Sequence, residues 1–421
     1  MITWLNRLGL FYLLFGIATL THGGDHRSYS DMLVNLAPIL SMGLFVHGYF
    51  KMPGLYKFIG WVLGLGIVLL VLESKYEYNQ YMYSYFVIKR FAYCSVAIGA
   101  YYLAGRSEPI NIRHVVNIIF FFFFFNQIVM GRIFGYGFNS ETRTTFSPDA
   151  YYFLIPFLYY LVSYLKNHRP VHLITALFCF LVIIILLHRT VISSSIVAAG
   201  VVVGLSMLGK VSGRSGLPLG RTLVLFALLV GIALPFVGLL PEKKVEVMMT
   251  SLGGIISPQE DNTASWRMEQ SEYYLSQIPE RPLFGWRYEG YDRGEIMENS
   301  DFEEKGTIIH SQYIDQLFNY GVFGLLINSV LILGALVVLY RSGRILSTDQ
   351  LVLFGFIVSG FVYGGGYQFP VQYWGFVGLG MYMGLKRRPI HLTAGPSSHT
   401  THTTVEHDLS PAATLAKSMY L

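Results

Sequence analysis

The chain has 421 residues, of which 53% are hydrophobic and 13% charged, and its mean hydropathy is +0.47. An average soluble domain carries about 25% charged residues, so this length excludes two or three soluble domains and points to one helical membrane domain. The net charge of +5 does not argue for a nucleic-acid partner, because the basic residues sit mostly in short breaks between apolar runs. Cys94 and Cys179, the only cysteines, both lie in apolar stretches, which argues against a disulfide framework or a thiolate metal site.

The first apolar run, 3–20, lacks a small-residue cleavage site and reads as an uncleaved first span. Further runs follow at 32–50, 58–73, 86–104, 114–131, 149–165, 171–188, 190–209, 221–240, 318–340, 350–366 and 370–385. A bilayer crossing takes about 20 apolar residues of helix, so these runs predict about twelve transmembrane helices. The third is short, and the seventh and eighth are nearly continuous. Residues 1–240 hold spans one to nine, 241–317 form a large loop with short helices, 318–388 hold spans ten to twelve, and 389–421 form a tail.

Basic residues follow every even-numbered span. They are Lys51 and Lys57, Arg106 and Arg113, Lys166 and Arg169, Lys210, Arg214 and Arg221, Arg341 and Arg344, and Lys386, Arg387 and Arg388. This is the positive-inside pattern with both termini in the cytoplasm. The odd-numbered breaks (21–31, 73–85, 131–150, 188–190, the long loop and 364–370) then face outward. No internal repeat is present, so an inverted-repeat transporter is not supported. The tail from 391 onward, rich in Ser, Thr, His and Pro, reads as disordered and cytoplasmic. Its histidines read as solvated rather than metal-binding. Tyrosines 76, 78, 81, 83 and 85, with Phe134, Tyr136 and Phe138, form either an interfacial aromatic belt or a platform for sugar rings.

The long loop has internal order. Capping residues at 262–265 precede a stretch, 266–278, that places Trp266, Tyr273, Tyr274 and Ile278 at near-helical spacing, as in a short amphipathic helix on the membrane surface. Pro279 and Pro282 stop it, and Arg281-Pro282-Leu283-Phe284-Gly285-Trp286 forms a turn. An acidic segment, 289–305, leads to His310 and then to a span with Gly321 and Gly324 in its first turns.

The segments TASWRMEQSEYYLSQIPERPLFGW (263–286) and HSQYIDQLFNYGVFGLL (310–326) resemble the signature region of the O-antigen ligase and O-antigen polymerase family. The pattern is an Arg opening a surface helix, a Pro-Leu-Phe-Gly turn, then a His, a small polar pair, an aliphatic run and Gly-x-x-Gly. LLHRTVISSSIVAAG (186–200) resembles the family's outer turn bearing a further Arg, with His188 standing where the family usually has a small residue. The specific part covers about a quarter of the chain.

The resemblance implies a GT-C-like membrane glycosyltransferase of the bacterial inner membrane whose active site faces the periplasm. Its donor would be an undecaprenyl-diphosphate-linked glycan and its acceptor a sugar or lipid-linked sugar, with a chain-length regulator as a further partner and no cofactor. By position, the family's essential arginines fall on Arg189 and Arg267 and its essential histidine on His310. Arg281, Gln312 and Tyr313 are secondary substrate-binding candidates.

The residue types suit that chemistry. Arginine stays cationic and binds phosphate oxygens bidentately, so an arginine pair stabilises a departing diphosphate. Histidine serves as base for a sugar hydroxyl near neutral pH. A single displacement inverts the anomeric carbon, and the absence of an Asp-x-Asp motif in the outer loops predicts no divalent metal. Each residue also has a plainer reading. Arg189 could anchor the turn by snorkelling, Arg267 could pair with an acid on a solvated helix, and His310 could be an interfacial histidine. Arg287 and Arg293, like Arg281, alternate with acids and read as solvated pairs, while Arg132 and Arg143 are weak outer candidates.

Within the family, polymerase is favoured over ligase because the match is loose. A lipid-linked sugar flippase or transporter would need a charged path through the spans, whose centres are nearly free of Asp, Glu, Lys and Arg. An intramembrane protease fares worse, since its Gly-x-Ser-Gly match at 213–216 lies in a basic break.

Overall fold

Helices are the only regular structure among the described residues of the computed structural model, which are 2–15, 27–83, 85–107, 110–129, 147–211, 262–287 and 309–386. In chain order they are α1 (Ile2–Phe15), α2 (Arg27–Gly48), α3 (Gly54–Tyr78), α4 (Tyr85–Ala92), α5 (Ser95–Arg106), α6 (Ile112–Val129) and α7 (Ser147–Tyr152). They continue with α8 (Leu154–Asn167), α9 (Pro170–Ile185), α10 (Arg189–Met207), α11 (Asn262–Gln277), α12 (Gln312–Arg341), α13 (Thr348–Gly366) and α14 (Val371–Leu385). Hydrocarbon offers no partner to backbone N–H and C=O groups, and a helix satisfies them within one segment.

Among the described residues, α3, α10, α12 and α13 are long and apolar enough to cross a bilayer; α9 and most of α6 are apolar but shorter. The outer face of α3 carries Phe58, Trp61, Leu65, Leu69 and Leu72, three or four residues apart and each more than half exposed. A soluble protein rarely exposes such a stripe, whereas a helix against lipid requires one. These features describe a membrane protein that is all-helical over the described residues.

Several boundaries depart from the sequence expectation. The third run, read as short, is the 25-residue α3. The fourth is broken into α4 and α5 by a turn at Tyr93 and Cys94, where Val96 N bonds Tyr93 O and Ala97 N bonds Cys94 O. The sixth is broken into α7 and α8, because Pro156 has no N–H to donate to the carbonyl four residues back and Phe153 absorbs the join. The tenth begins earlier, at Gln312, and is interrupted at Gly321. The ninth run (221–240), the acidic segment 289–305, the tail, the 213–216 motif, and Arg132, Arg143, Arg293, Phe134, Tyr136 and Phe138 lie outside the described residues.

Helix α14 forms the centre, with every residue from Val371 to Met381 buried. It packs on α5, α12, α13 and α1, while α10 and α8 lie against α13. A side chain on Gly378 would lie 2.1 Å from the Ala97 carbonyl, so α14 and α5 meet backbone to backbone, a close approach typical of membrane bundles. Trp374, Tyr373, Phe376, Tyr151, Phe356 and Tyr363 fill the core around it. Cys94 and Cys179 are both free and buried.

The breaks gather at two ends of the bundle. Lys166 Nζ bonds Leu346 O at 2.8 Å, Lys210 Nζ bonds Tyr340 O and Gly343 O at 3.0 Å each, and Gln350 Nε2 bonds Met383 O at 3.0 Å. The basic breaks after α8, α10, α12 and α14 therefore share one end of the bundle. The alternate breaks meet at the other end: Arg287 reaches Glu73, Ser147 bonds Tyr363, and Thr190 lies against Gly366.

Candidate active site

The site begins with a turn and a broken helix. Helix α11 gives way to a 3-10 turn, Ile278–Glu280, as the prolines at 279 and 282 withdraw their amides. The chain then reverses through Gly285, at φ 69°, with Gly285 N bonding Arg281 O at 3.0 Å. Gly321 interrupts α12 at φ 63° and ψ −161°, freeing backbone groups on both sides of the break. The turn takes them up: Trp286 N bonds Phe318 O (2.6 Å), Arg287 N bonds Asn319 O (3.1 Å), Val322 N bonds Pro282 O (2.8 Å) and Phe323 N bonds Leu283 O (3.2 Å).

Beneath this joint, Tyr274, Trp286, Ile309 and Phe318 form a separate apolar cluster. Helix α11 is thus a packed strut with its Tyr274 side buried on α12, as well as the amphipathic element its spacing predicts. The first helical turns of α12 are also held from the side. Buried Asp315 accepts from Arg90 Nη1 at 2.5 Å and from Asn319 Nδ2 at 3.1 Å, tying α12 to α4.

With α11 fixed, its first half reaches the turn between α13 and α14. Arg267 Nη1 donates to Gly366 O at 3.3 Å, and the guanidinium carbon lies 4.7 Å from the Tyr367 ring centroid. Its Nε is buried and makes no hydrogen bond among the described residues. Arg189 is the first residue of α10, after a tight turn with Leu187 at φ 60° and a buried His188 whose carbonyl accepts from Val191 and Ile192. The next residue, Thr190, packs on Gly366, where a Cβ would lie 2.8 Å from Thr190 Oγ1. Arg267 thus touches this turn, and the chain beside Arg189 packs on it.

The segment that carries His310 reaches that turn from a third direction. Gln368 Nε2 bonds Ile309 O (2.6 Å), Ser311 Oγ bonds Gly364 O (3.3 Å), Phe369 N bonds Gln312 Oε1 (2.8 Å) and Tyr313 OH bonds Phe361 O (2.7 Å). Residues 309–313 are thereby stitched along 361–369. Gln312 is buried and its amide oxygen holds Phe369, so the structure gives it a framework contact, and Tyr313 likewise spends its hydroxyl on a backbone carbonyl. Arg281 lies beyond the far end of α11, over the Trp286 ring at 4.6 Å, and that end is itself about 15 Å along the helix from Arg267. Arg287 pairs with Glu73, near the end of α3, at 2.7 Å.

The His310 ring has a defined polarity. Gln270, one helical turn from Arg267 and 2% exposed, presents Oε1 both to the His310 backbone N (3.4 Å) and to the ring Nδ1 (3.3 Å). A backbone amide only donates, so the Gln270 atom facing it is the oxygen. The same oxygen then requires a proton on Nδ1, which leaves the lone pair of the neutral imidazole on Nε2. Sequence reasoning passed over Gln270, although its three-residue spacing from Arg267 puts both on one helix face. It also treated 364–370 only as a break.

Compared with known protein families, residues 174–329 match the one described as O-antigen ligase. That stretch contains Arg189, Arg267, Gln270 and His310 and ends before residues 364–369. No curated protein matches the chain.

Proposed function

We propose that this chain, which carries an O-antigen ligase family domain over residues 174–329, is a bacterial inner-membrane glycosyltransferase of the O-antigen ligase and polymerase type. Its donor is a glycan on undecaprenyl diphosphate, and transfer takes place on the periplasmic side. The observation carrying this reading is that Arg267 bonds the turn joining α13 to α14 while the chain beside Arg189 (Thr190) and beside His310 (Ile309 and Ser311) packs on the same turn.

In this reading the acceptor hydroxyl gives its proton to His310 Nε2 as its oxygen attacks the anomeric carbon of the donor. The bond from that carbon to the diphosphate oxygen breaks, the electron pair leaves with the diphosphate, and the configuration inverts. Charge builds on the leaving oxygens in the transition state, where fixed guanidinium groups stabilise it most. The buried Arg267 Nε–H, without a hydrogen bond among the described residues, is the kind of donor a phosphate oxygen would satisfy. No metal is assigned a step.

Polymerisation of lipid-linked repeat units is the preferred reaction; ligation of a finished chain to the lipid A core uses the same donor and leaving group. A chain-length regulator would be a partner of the polymerase alone. The experiment is glycan transfer by the purified, reconstituted full chain. H310A and R267A are expected to insert and fold normally yet lose transfer, and normal turnover by both would remove the reading. In cells lacking the protein, single capped repeats indicate a lost polymerase and full chains left on the carrier a lost ligase.

A further inference from the structure

At the basic end of the bundle, away from the turn just described, the ends of α6, α8, α9 and α13 enclose a cavity of about 640 Å³. Arg113, Lys166, Arg169 and His172 line it together with Ser163, and Asp349 is the one acid among the lining residues. Ser163 is buried, and His172 Nδ1 is buried without a hydrogen-bond partner among the described residues. Arg113 and Arg169 are exposed at the rim. From that rim, α9 continues with Val171, Ile174, Phe178 and Leu181 exposed, three or four residues apart on one face.

We propose that this cavity binds the phosphate headgroup of an anionic phospholipid, with the acyl chains lying along the exposed face of α9. The charge balance of the lining favours an anion, and guanidinium forks grip phosphate oxygens in pairs. Basic pockets between membrane helices are a recurring headgroup site. A free phosphate would use the cations equally well and would leave the apolar stripe of α9 without a role, which is why a lipid is the chosen source. Nothing in this site depends on the glycosyltransferase reading.

The test uses the full chain in nanodiscs of equal phosphatidylglycerol and phosphatidylcholine, with retained lipid measured after detergent extraction. The wild-type protein should retain phosphatidylglycerol over phosphatidylcholine by on the order of tenfold, and R113Q/R169Q should retain both alike. R169Q alone, at an exposed position, serves with the same criterion should the double variant not yield monodisperse protein. Equal retention by the wild type, or an unchanged preference in the variants, would overturn the site. If inorganic phosphate stabilises the delipidated protein as strongly as phosphatidylglycerol and through Arg169, the ligand is a soluble anion and the lipid assignment fails.

Discussion

Gly285 and Gly321 lie at a joint with no room for a side chain at either position. A Cβ on Gly285 would fall 2.5 Å from the Asn319 backbone carbon, and one on Gly321 would fall 2.4 Å from the Leu283 carbonyl. Both residues also occupy the left-handed region, which costs an L-residue about 1–2 kcal/mol before any clash. The joint's backbone hydrogen bonds contribute about 1 kcal/mol each. G321A and G285A are therefore expected to lose about 3 kcal/mol or more and to melt earlier in detergent. G200A, inside α10 and with nothing within 4 Å of its added methyl, should melt at or slightly above the wild type. Equal melting of G321A and G200A would contradict the joint.

The two ion pairs near this end should differ sharply in weight. Arg90 and Asp315 are 11% and 1% exposed, so removing one partner strands a buried charge at about 3–5 kcal/mol. R90M or D315L alone should destabilise strongly, and the double variant should recover most of the loss. Arg287 and Glu73 are 26% and 24% exposed, and E73Q should change stability by about 1 kcal/mol or less. Thermal melts of the five variants, with R287Q as the last, decide the ranking.

At Arg267 the shape of the cation matters as well as its charge. The guanidinium lies on the Tyr367 ring while Nη1 holds Gly366 O. Lysine keeps the charge and loses both the planar stacking and the fork. R267K should fold and insert normally yet transfer glycan at least about tenfold more slowly, read as kcat at saturating donor. Full activity in R267K would reduce the residue to a point charge.

The helical membrane class and the alternation of the breaks were legible in the chain, because apolar length and the placement of Lys and Arg are local signals. The contacts of Lys166 and Lys210 with the basic break after α12 carry that alternation into three dimensions. Helix interruptions were less legible. Pro156 could have announced the break before α8, whereas Gly321 looks like an ordinary small residue in a span until the turn at 282–285 is seen to occupy its freed amides. The Arg90–Asp315 pair joins residues 225 positions apart, and no spacing rule reaches that far. Arg189, Arg267 and His310 stand out through their resemblance to a family pattern; the turn at 364–369 that Arg267 touches does not, since Gly364, Gly365 and Gly366 carry no chemistry of their own.

Gln270 offers the sharpest pH test of the His310 reading. Its amide oxygen faces Nδ1 and leaves Nε2 as the basic nitrogen. In Q270E a carboxylate replaces that oxygen. A negative charge beside the ring favours the imidazolium, so the proton is held to higher pH. Because attack needs the neutral ring, the acidic limb of the kcat/KM profile should move to higher pH, with the plateau reached later. Q270L keeps the bulk and loses the oxygen, so kcat should fall about tenfold or more with KM nearly unchanged. A merely structural glutamine would lower activity in both variants without moving the limb. An unshifted limb in an active Q270E, with H310A inactive, would detach Gln270 from the histidine while leaving the base in place.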